Sequence, residues 1–183
     1  MIIRTHRLVL RPWQESDADD LFKYAADPRI GPAAGWPVHT DAENSRSIIK
    51  NVLMVPETYA IALPDTHEAI GSIGLKFGEQ SSLLRGENQA ELGYWLGYDH
   101  WGKGYVPECA MALLEHGFIT LGLDTIWCGC YDGNENSRRV QAKCGFKYSH
   151  SNENTYCPLL GEYRTEHISL LTRDEFIKTT RRT

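Results

Sequence analysis

The sequence contains nothing approaching the roughly 18 consecutive apolar residues of a membrane-spanning helix. The N-terminus lacks the uninterrupted apolar run of a secretory signal, because Arg4, Arg7 and Arg11 break it. A cytoplasmic protein with no membrane partner is therefore expected. Positive charge is also in short supply: 19 basic against 24 acidic residues leave a net charge of -5. Such a chain has no general grip on nucleic-acid phosphates, so no direct nucleic-acid partner is expected and a cationic or neutral partner fits better. There is no CxxC pair among Cys109, Cys128, Cys130, Cys144 and Cys157, and no closely spaced set of zinc ligands. Most of these thiols read as small core residues, although Cys128 and Cys130 share one face of a strand. His100, His116 and His167 show no metal-binding spacing either, so no metal is expected. Internal repeats, low-complexity runs and linkers are missing, and 183 residues with 42% hydrophobic content suit a single domain over 1–183 with a real core.

Periodicity supplies the elements. Arg7 to Arg11 alternates as a half-buried strand with Leu8 and Leu10 on one face, and Pro12 ends it. Ser16 is positioned to cap a helix reaching about Ala26, with Leu21, Phe22 and Ala25 inward. Thr40 and Glu43 have the spacing of a capping box for a second helix whose inner face is Ile48, Ile49, Val52 and Leu53. Tyr59–Leu63, Ala69–Phe77 and Ala90–Leu96 read as strands of an antiparallel meander. From Val106 the spacing becomes helical and closes at Gly122. Thr125–Tyr131 reads as a strand, Asn134–Cys144 as a short helix with Val140 and Cys144 inward and Gly145 as its stop, Phe146 as the opening of a strand, and Ile168–Leu171 as the last strand. The fold class is α+β, or mixed α/β, around a mainly antiparallel sheet.

The densest chemistry lies in Glu91-Leu-Gly-Tyr-Trp-Leu-Gly97 followed by Trp101-Gly-Lys-Gly-Tyr105, a strand, a glycine turn and a helix N-terminus. Such a turn points backbone NH groups inward, and the helix dipole adds to an anion site suited to a phosphate or pyrophosphate. A tight turn that happens to use two glycines is the plain alternative. Gly97 to Lys103 also satisfies GxxxxGK, but glycine at 104 replaces the Ser or Thr that holds magnesium in a P-loop. Asp132, Asn134 and Asn136 imitate an EF-hand opening, yet Ser137 and Lys143 stand where a glycine and a bidentate glutamate are needed, which rules out calcium.

Taken in order, Arg7-Leu-Val-Leu-Arg-Pro-Trp13, Glu91-Leu-Gly-Tyr-Trp, Trp101-Gly-Lys-Gly-Tyr, Asn134-x-x-Ser137 ahead of Lys143-Cys-Gly-Phe146, and Glu166-His-x-Ser-Leu-Leu-Thr-Arg-Asp-Glu-Phe176 resemble the GNAT superfamily of acyl-CoA-dependent N-acyltransferases. Within it they resemble the ribosomal-protein N-acetyltransferases of the RimJ/RimL type. The resemblance implies a strongly bent sheet with acetyl-CoA as co-substrate, wedged between two splayed central strands. It implies that backbone groups of Tyr94, Trp95 and Leu96 pair with the pantetheine arm. NH groups of Gly102, Lys103, Gly104 and Tyr105 would hold the pyrophosphate, with Trp101 and Val106 flanking them. Trp101 stands where relatives often have Gln or Arg. Pro107, where many have Thr, has no NH to give a phosphate.

The implied reaction is attack of a neutral amine on a thioester carbonyl. An α-amine with a pKa of about 7.7 to 8.0 is roughly a tenth neutral at pH 7, against about a thousandth or less for a lysine. A protein N-terminal α-amine, as on a ribosomal protein, is the expected acceptor. A polyamine, aminoglycoside or amino acid is the alternative within enzymes, and a catalytically silent acyl-CoA sensor the alternative outside them. Glu91 is the expected proton acceptor, directly or through water, with a solvated strand-edge charge as its plain reading. Ser137 would hydrogen-bond the departing thiolate, since Gln141 replaces the Tyr that other members use, and Asn134 would fix pantetheine or the start of its helix, with helix capping as the plain reading of both. Trp36, in the Gly- and Pro-rich segment Gly31–Pro37, would either overhang the acceptor or simply pack the loop. A homodimer is left open.

Overall fold

The computed structural model describes residues 1–180. Eight strands form one mostly antiparallel sheet in the order β1-β2-β3-β4-β5-β6-β8-β7, flanked by helices, which is the expected mixed α/β class. The chain divides into two compact units, Met1–Gly74 with Tyr94–Cys109, and Leu75–Gly93 with the described part of Ala110–Thr183. Strands β4 (Ala69–Lys76) and β5 (Gln89–Leu96) each contribute residues to both units.

In the first unit, β1 (Ile3–Arg4), β2 (Val9–Pro12), β3 (Thr58–Ala62) and β4 pair antiparallel in sequence. Helix α1 (Ala18–Ala25) buries Ala18, Leu21 and Ala25, one helical stripe, against Trp13, Ile49, Ala60 and Ala69. Burying Leu21 alone contributes about 1.5 to 3 kcal/mol. Ser16 does not cap this helix. Its exposed hydroxyl lies 3.5 Å from Gln14 Oε1, and a short 3-10 turn, Glu15–Asp17, leads into α1. The organising contact is the Arg11 guanidinium forked onto Asp17 at 2.7 and 2.8 Å. A four-residue turn of helix, α2 (Gly31–Ala34), follows. Helix α3 (Ala42–Ile48) is capped one residue later than the Thr40–Glu43 box predicts, because Asp41 Oδ1 accepts from Asn44 N at 2.7 Å. The following turn, Ile49–Leu53, widens to π geometry and leaves Val52 exposed, not inward.

In the second unit, β6 (Thr125–Tyr131) pairs antiparallel with β8 (Glu162–Thr172), which pairs with β7 (Lys147–Cys157). The start of β5 runs parallel to β6. Helix α4 (Tyr105–Glu115) continues as a π turn to Thr120, and Gly122 stops it at φ 73°. Helix α5 (Glu135–Lys143) buries Gln141, while Val140 is only half-buried. Helix α6 (Arg173–Thr180) was absent from the sequence-based expectation; its Phe176 packs on Phe118 with ring centroids 5.2 Å apart. All five cysteines are buried. No helix among the described residues is long and apolar enough to cross a membrane.

Candidate active site

The glycine turn lies in the first unit. Gly97 sits against the Tyr24 ring so closely that a Cβ would overlap it, and Gly97 N donates to Ile70 O at 2.8 Å, which sets where β5 ends. Trp101 then folds back and its indole Nε1 donates to Leu96 O at 2.7 Å, so one of the carbonyls expected to face pantetheine already has a partner. Gly102 and Gly104 adopt φ of 74° and 76°, a region costly for any residue with a Cβ, and α4 opens at Tyr105 immediately afterwards. A Cβ at Gly102 would meet nothing within 4 Å, so the space before the helix N-terminus is open. This backbone fits an anionic pyrophosphate, with Val106 buried behind it and Pro107 contributing no NH.

Arg7 anchors this turn, a role that the sequence reading missed. Its Nη1 donates to Lys103 O at 2.9 Å, its Nε to Glu108 Oε2 at 2.7 Å, and its guanidinium lies 4.8 Å over the Tyr105 ring. Glu108 also accepts from Thr5 Oγ1 at 2.6 Å and from Arg7 N at 2.8 Å. Burial works against the Glu108 charge, but the donors from Thr5 and Arg7 outweigh it and hold the carboxyl below its ordinary range. His100 is hydrogen-bonded with Tyr24 Oη at 3.1 Å and stacked on Tyr105, and burial, then the charge of Lys103, pull its imidazole below the ordinary histidine range. In the same unit Trp95 stacks on Trp13 at 6.4 Å and meets Trp36 edge-on at 5.9 Å. Trp36 also covers Gly31 and leans on His39, so its half-buried ring packs the loop.

The second unit contains the other candidates. Strands β5 and β6 pair in parallel at Gln89–Thr125, Ala90–Ile126 and Glu91–Trp127, and the ladder ends there although both strands continue. Glu91 therefore stands at the last rung before the strands part. Lys76 Nζ donates to its Oε1 at 2.8 Å and Ser81 Oγ to its Oε2 at 2.6 Å. Its carboxylate is mostly covered, with 14% of the side chain exposed, which rejects the solvated strand-edge reading. Asn134 caps α5, its Oδ1 accepting from Ser137 N at 3.1 Å. Ser137 is thus the capped residue and not the cap, and its Oγ accepts from Gln141 Nε2 at 3.4 Å.

Two further residues gain importance from strand register. Glu166 on β8 lies across Gly129 of β6, its Cδ 3.2 Å from where a Cβ would stand. Burial, then the nearby Glu91 charge, push its carboxyl up, against an opposing effect of Lys76. A glycine inside a strand often marks such a close approach, and Gly129 was the one available signal. The Cys109 and Cys144 thiols are poor nucleophiles, because burial pushes them up to about 12. Among the described residues no group of three or more His, Cys, Asp or Glu is placed to hold a metal.

Comparison with known proteins agrees with this geometry. The family model "Acetyltransferase (GNAT) domain" matches residues 7–147. A protein of Bacillus licheniformis named "Uncharacterized N-acetyltransferase p20" is 34% identical over 127 residues, covering 67% of this chain and 68% of that one. The crystal structure of a GNAT-family acetyltransferase from Bacillus anthracis superposes with a TM-score of 0.83 at 24% identity, covering 96% and 100% of the two chains. The ribosomal-protein-serine acetyltransferase of Escherichia coli is 27% identical over 115 residues, covering 61% and 62%. The family model and the 34% identical relative define an acetyl-transferring enzyme. This chain belongs to the GNAT acetyltransferase family and is an N-acetyltransferase, a class that uses acetyl-CoA and an amine acceptor.

Proposed function

We propose that this enzyme transfers the acetyl group of acetyl-CoA to a protein N-terminal α-amine, of the ribosomal-protein kind. The observation that carries the acceptor is the similarity to the ribosomal-protein-serine acetyltransferase, at 27% identity. Elementary chemistry agrees with it, because an α-amine reaches its neutral form near pH 7 far more readily than a lysine. In this reading the NH groups of Gly102, Lys103, Gly104 and Tyr105 hold the pyrophosphate, and backbone groups of Tyr94, Trp95 and Leu96 pair with pantetheine. Glu91 is the carboxylate presented to the incoming amine. Ser137 donates to the sulfur as negative charge develops there, and Asn134 keeps the start of α5, and with it Ser137, in place.

The test is CoA-thiol release with a panel of N-terminal peptides, the same peptides with the α-amine blocked, polyamines, aminoglycosides and free amino acids. Turnover of the free peptides that is lost on blocking supports the α-amine acceptor. Turnover confined to the small amines replaces it with the small-molecule reading. Tight CoA binding with no thiol release from any amine would make the protein a silent sensor.

A further inference from the structure

We propose that Glu166 is the group that takes the proton from the incoming ammonium, while Glu91, clamped by Lys76 and Ser81, serves as the fixed negative charge that seats it. The inference rests on the N-acetyltransferase reading above and deepens it by dividing two jobs between two carboxylates.

Register places them on one face. Glu91 is paired with Trp127, and side chains of paired residues point to the same side of a sheet. Gly129 is two residues further along β6 and therefore on that side too, and the Glu166 carboxylate lies across it. Two residues of strand span about 6.6 Å, so the carboxylates flank the place where β5 and β6 part. Their surroundings differ. Both oxygens of Glu91 already accept, from an ammonium and from a hydroxyl, so an arriving proton competes with a seated donor. Among the described residues nothing donates a hydrogen bond to the Glu166 carboxylate, which rests on glycine backbone beside the apolar group Leu83, Trp127 and Ile168.

The groups facing Glu166 are Glu91 from β5, Lys76 from β4 and Tyr131 from β6, with the Cys130 thiol nearby on the sheet's other face, while Asn152 opposite it on β7 is uncharged. Arg164, two residues earlier on β8, is engaged by Glu162 and the Tyr131 ring. Burial first, and Glu91 second, shift Glu166 toward holding a proton, closer to the match with neutral pH that a general base requires. Two carboxylates against one ammonium also leave the cluster negative, which suits a cationic primary amine.

The proton balance closes with residues and substrates already named. The substrate ammonium gives one proton to Glu166, and the freed lone pair forms the C–N bond at the thioester carbonyl carbon. The C–S bond breaks, sulfur leaves with the electron pair, and it takes the second proton shed by nitrogen, giving amide and thiol. Glu166 then returns its proton to solvent.

Three variants test the assignment: Glu166→Gln, Glu166→Asp and Glu91→Gln, read by carboxyl-carbon NMR titration of the free enzyme and by pH–rate profiles. In the wild type one glutamate carboxyl should titrate above the ordinary range, disappear in Glu166→Gln and move down in Glu91→Gln as the like charge is removed. With an amine that the wild type acetylates, Glu166→Gln should lower kcat/KM at pH 7 by about 10²- to 10⁴-fold. CoA affinity should be retained, the rate should recover above the amine's own pKa, and Glu166→Asp should restore part of it. An upshifted resonance that survives Glu166→Gln, or an unchanged pH–rate profile in that variant, overturns the inference while leaving the acetyltransferase reading intact. A wild type that binds CoA yet acetylates no amine overturns that reading and this inference with it.

Discussion

Replacing Arg7 by Met isolates the strut under the glycine turn, because Met keeps much of the aliphatic stem and deletes the guanidinium. The ion pair with Glu108 and the hydrogen bond to Lys103 O disappear, and the guanidinium contact with the Tyr105 ring gives way to a thioether–aromatic contact of comparable strength. The Arg7 side chain is 42% exposed, so solvent screens the pair and it contributes about 0.2 to 1 kcal/mol. The hydrogen bond to Lys103 O adds a net of about 0.5 to 1.5 kcal/mol. Glu108 is not orphaned, since Thr5 Oγ1 and Arg7 N still donate to it, and no large buried-charge penalty arises. Stability should therefore fall by about 1 to 2 kcal/mol, or roughly 2 to 8 °C in melting temperature for a chain of this size. The loss should also depend on pH. Glu108 has its folded pKa depressed, so its contribution is fully present above the unfolded value near ~4.3 and fades as pH falls through the lower folded value. The penalty measured at pH 7 should shrink at about pH 3. The second readout is acetyl-CoA affinity by calorimetry. An unanchored Lys103 carbonyl must be ordered on binding, and a positive charge has left the neighbourhood of the turn. Some 1 kcal/mol of such cost corresponds to a dissociation constant raised roughly 5-fold. Arg7→Lys, which keeps charge but not the fork, should fall between. A variant melting several degrees lower with unchanged affinity would refute the strut and make Arg7 a fold-stabilising residue only.

Acetyl-CoA itself should raise the melting temperature of the wild type, by the equivalent of about 2.7 kcal/mol at 100 times its dissociation constant. Gly104→Val should largely abolish that shift in a thermal-melt assay, because valine is strained at φ 76°. Ser137→Ala should leave CoA affinity and melting nearly intact while turnover falls about 10- to 1000-fold, nearer the low end because a CoA thiol already leaves well. Asn134→Ala should show the opposite emphasis, losing about 0.5 to 2 kcal/mol of stability with its cap. Full activity in Ser137→Ala would transfer the donor role to another group.

Apolar runs set off from polar flanks were readable from the chain alone. Thr125–Tyr131 matches β6 to the residue, and Ala90–Leu96 differs from β5 by one. Much of what escaped lacks such a contrast. Strands β7 and β8 run 11 residues each, but apart from the stretch at Ile168–Leu171 their side chains are mainly exposed or half-buried, so no apolar period marks them. Ser16 and Asp41 illustrate a different obstacle. Several neighbouring residues had the chemistry to start a helix, and the choice was made by the Arg11 fork onto Asp17 in one case and the Asn44 NH in the other. Helix α6 did carry a local mark, since Thr172 and Glu175 satisfy each other's backbone NH groups at 3.3 and 3.4 Å as a capping box does.

The candidate site divides along the same line. Gly102, Gly104 and the start of α4 are contiguous, and a backbone motif made by neighbours in sequence can be read from their spacing. The carboxylate pair is not contiguous. Glu166 reaches Glu91 only through two registers, Glu91 on Trp127 across β5 and β6 and Tyr131 on Glu166 across β6 and β8. A slip of one residue in either pairing would turn one carboxylate to the opposite face. The residue that makes the arrangement feasible carries no functional group at all: Gly129 leaves vacant the volume that Glu166 occupies. Chemistry assembled in this way is specified by the absence of a side chain on one strand and by hydrogen-bond registers on two others. A charged residue on the closing strand therefore gains its meaning only once the sheet is formed.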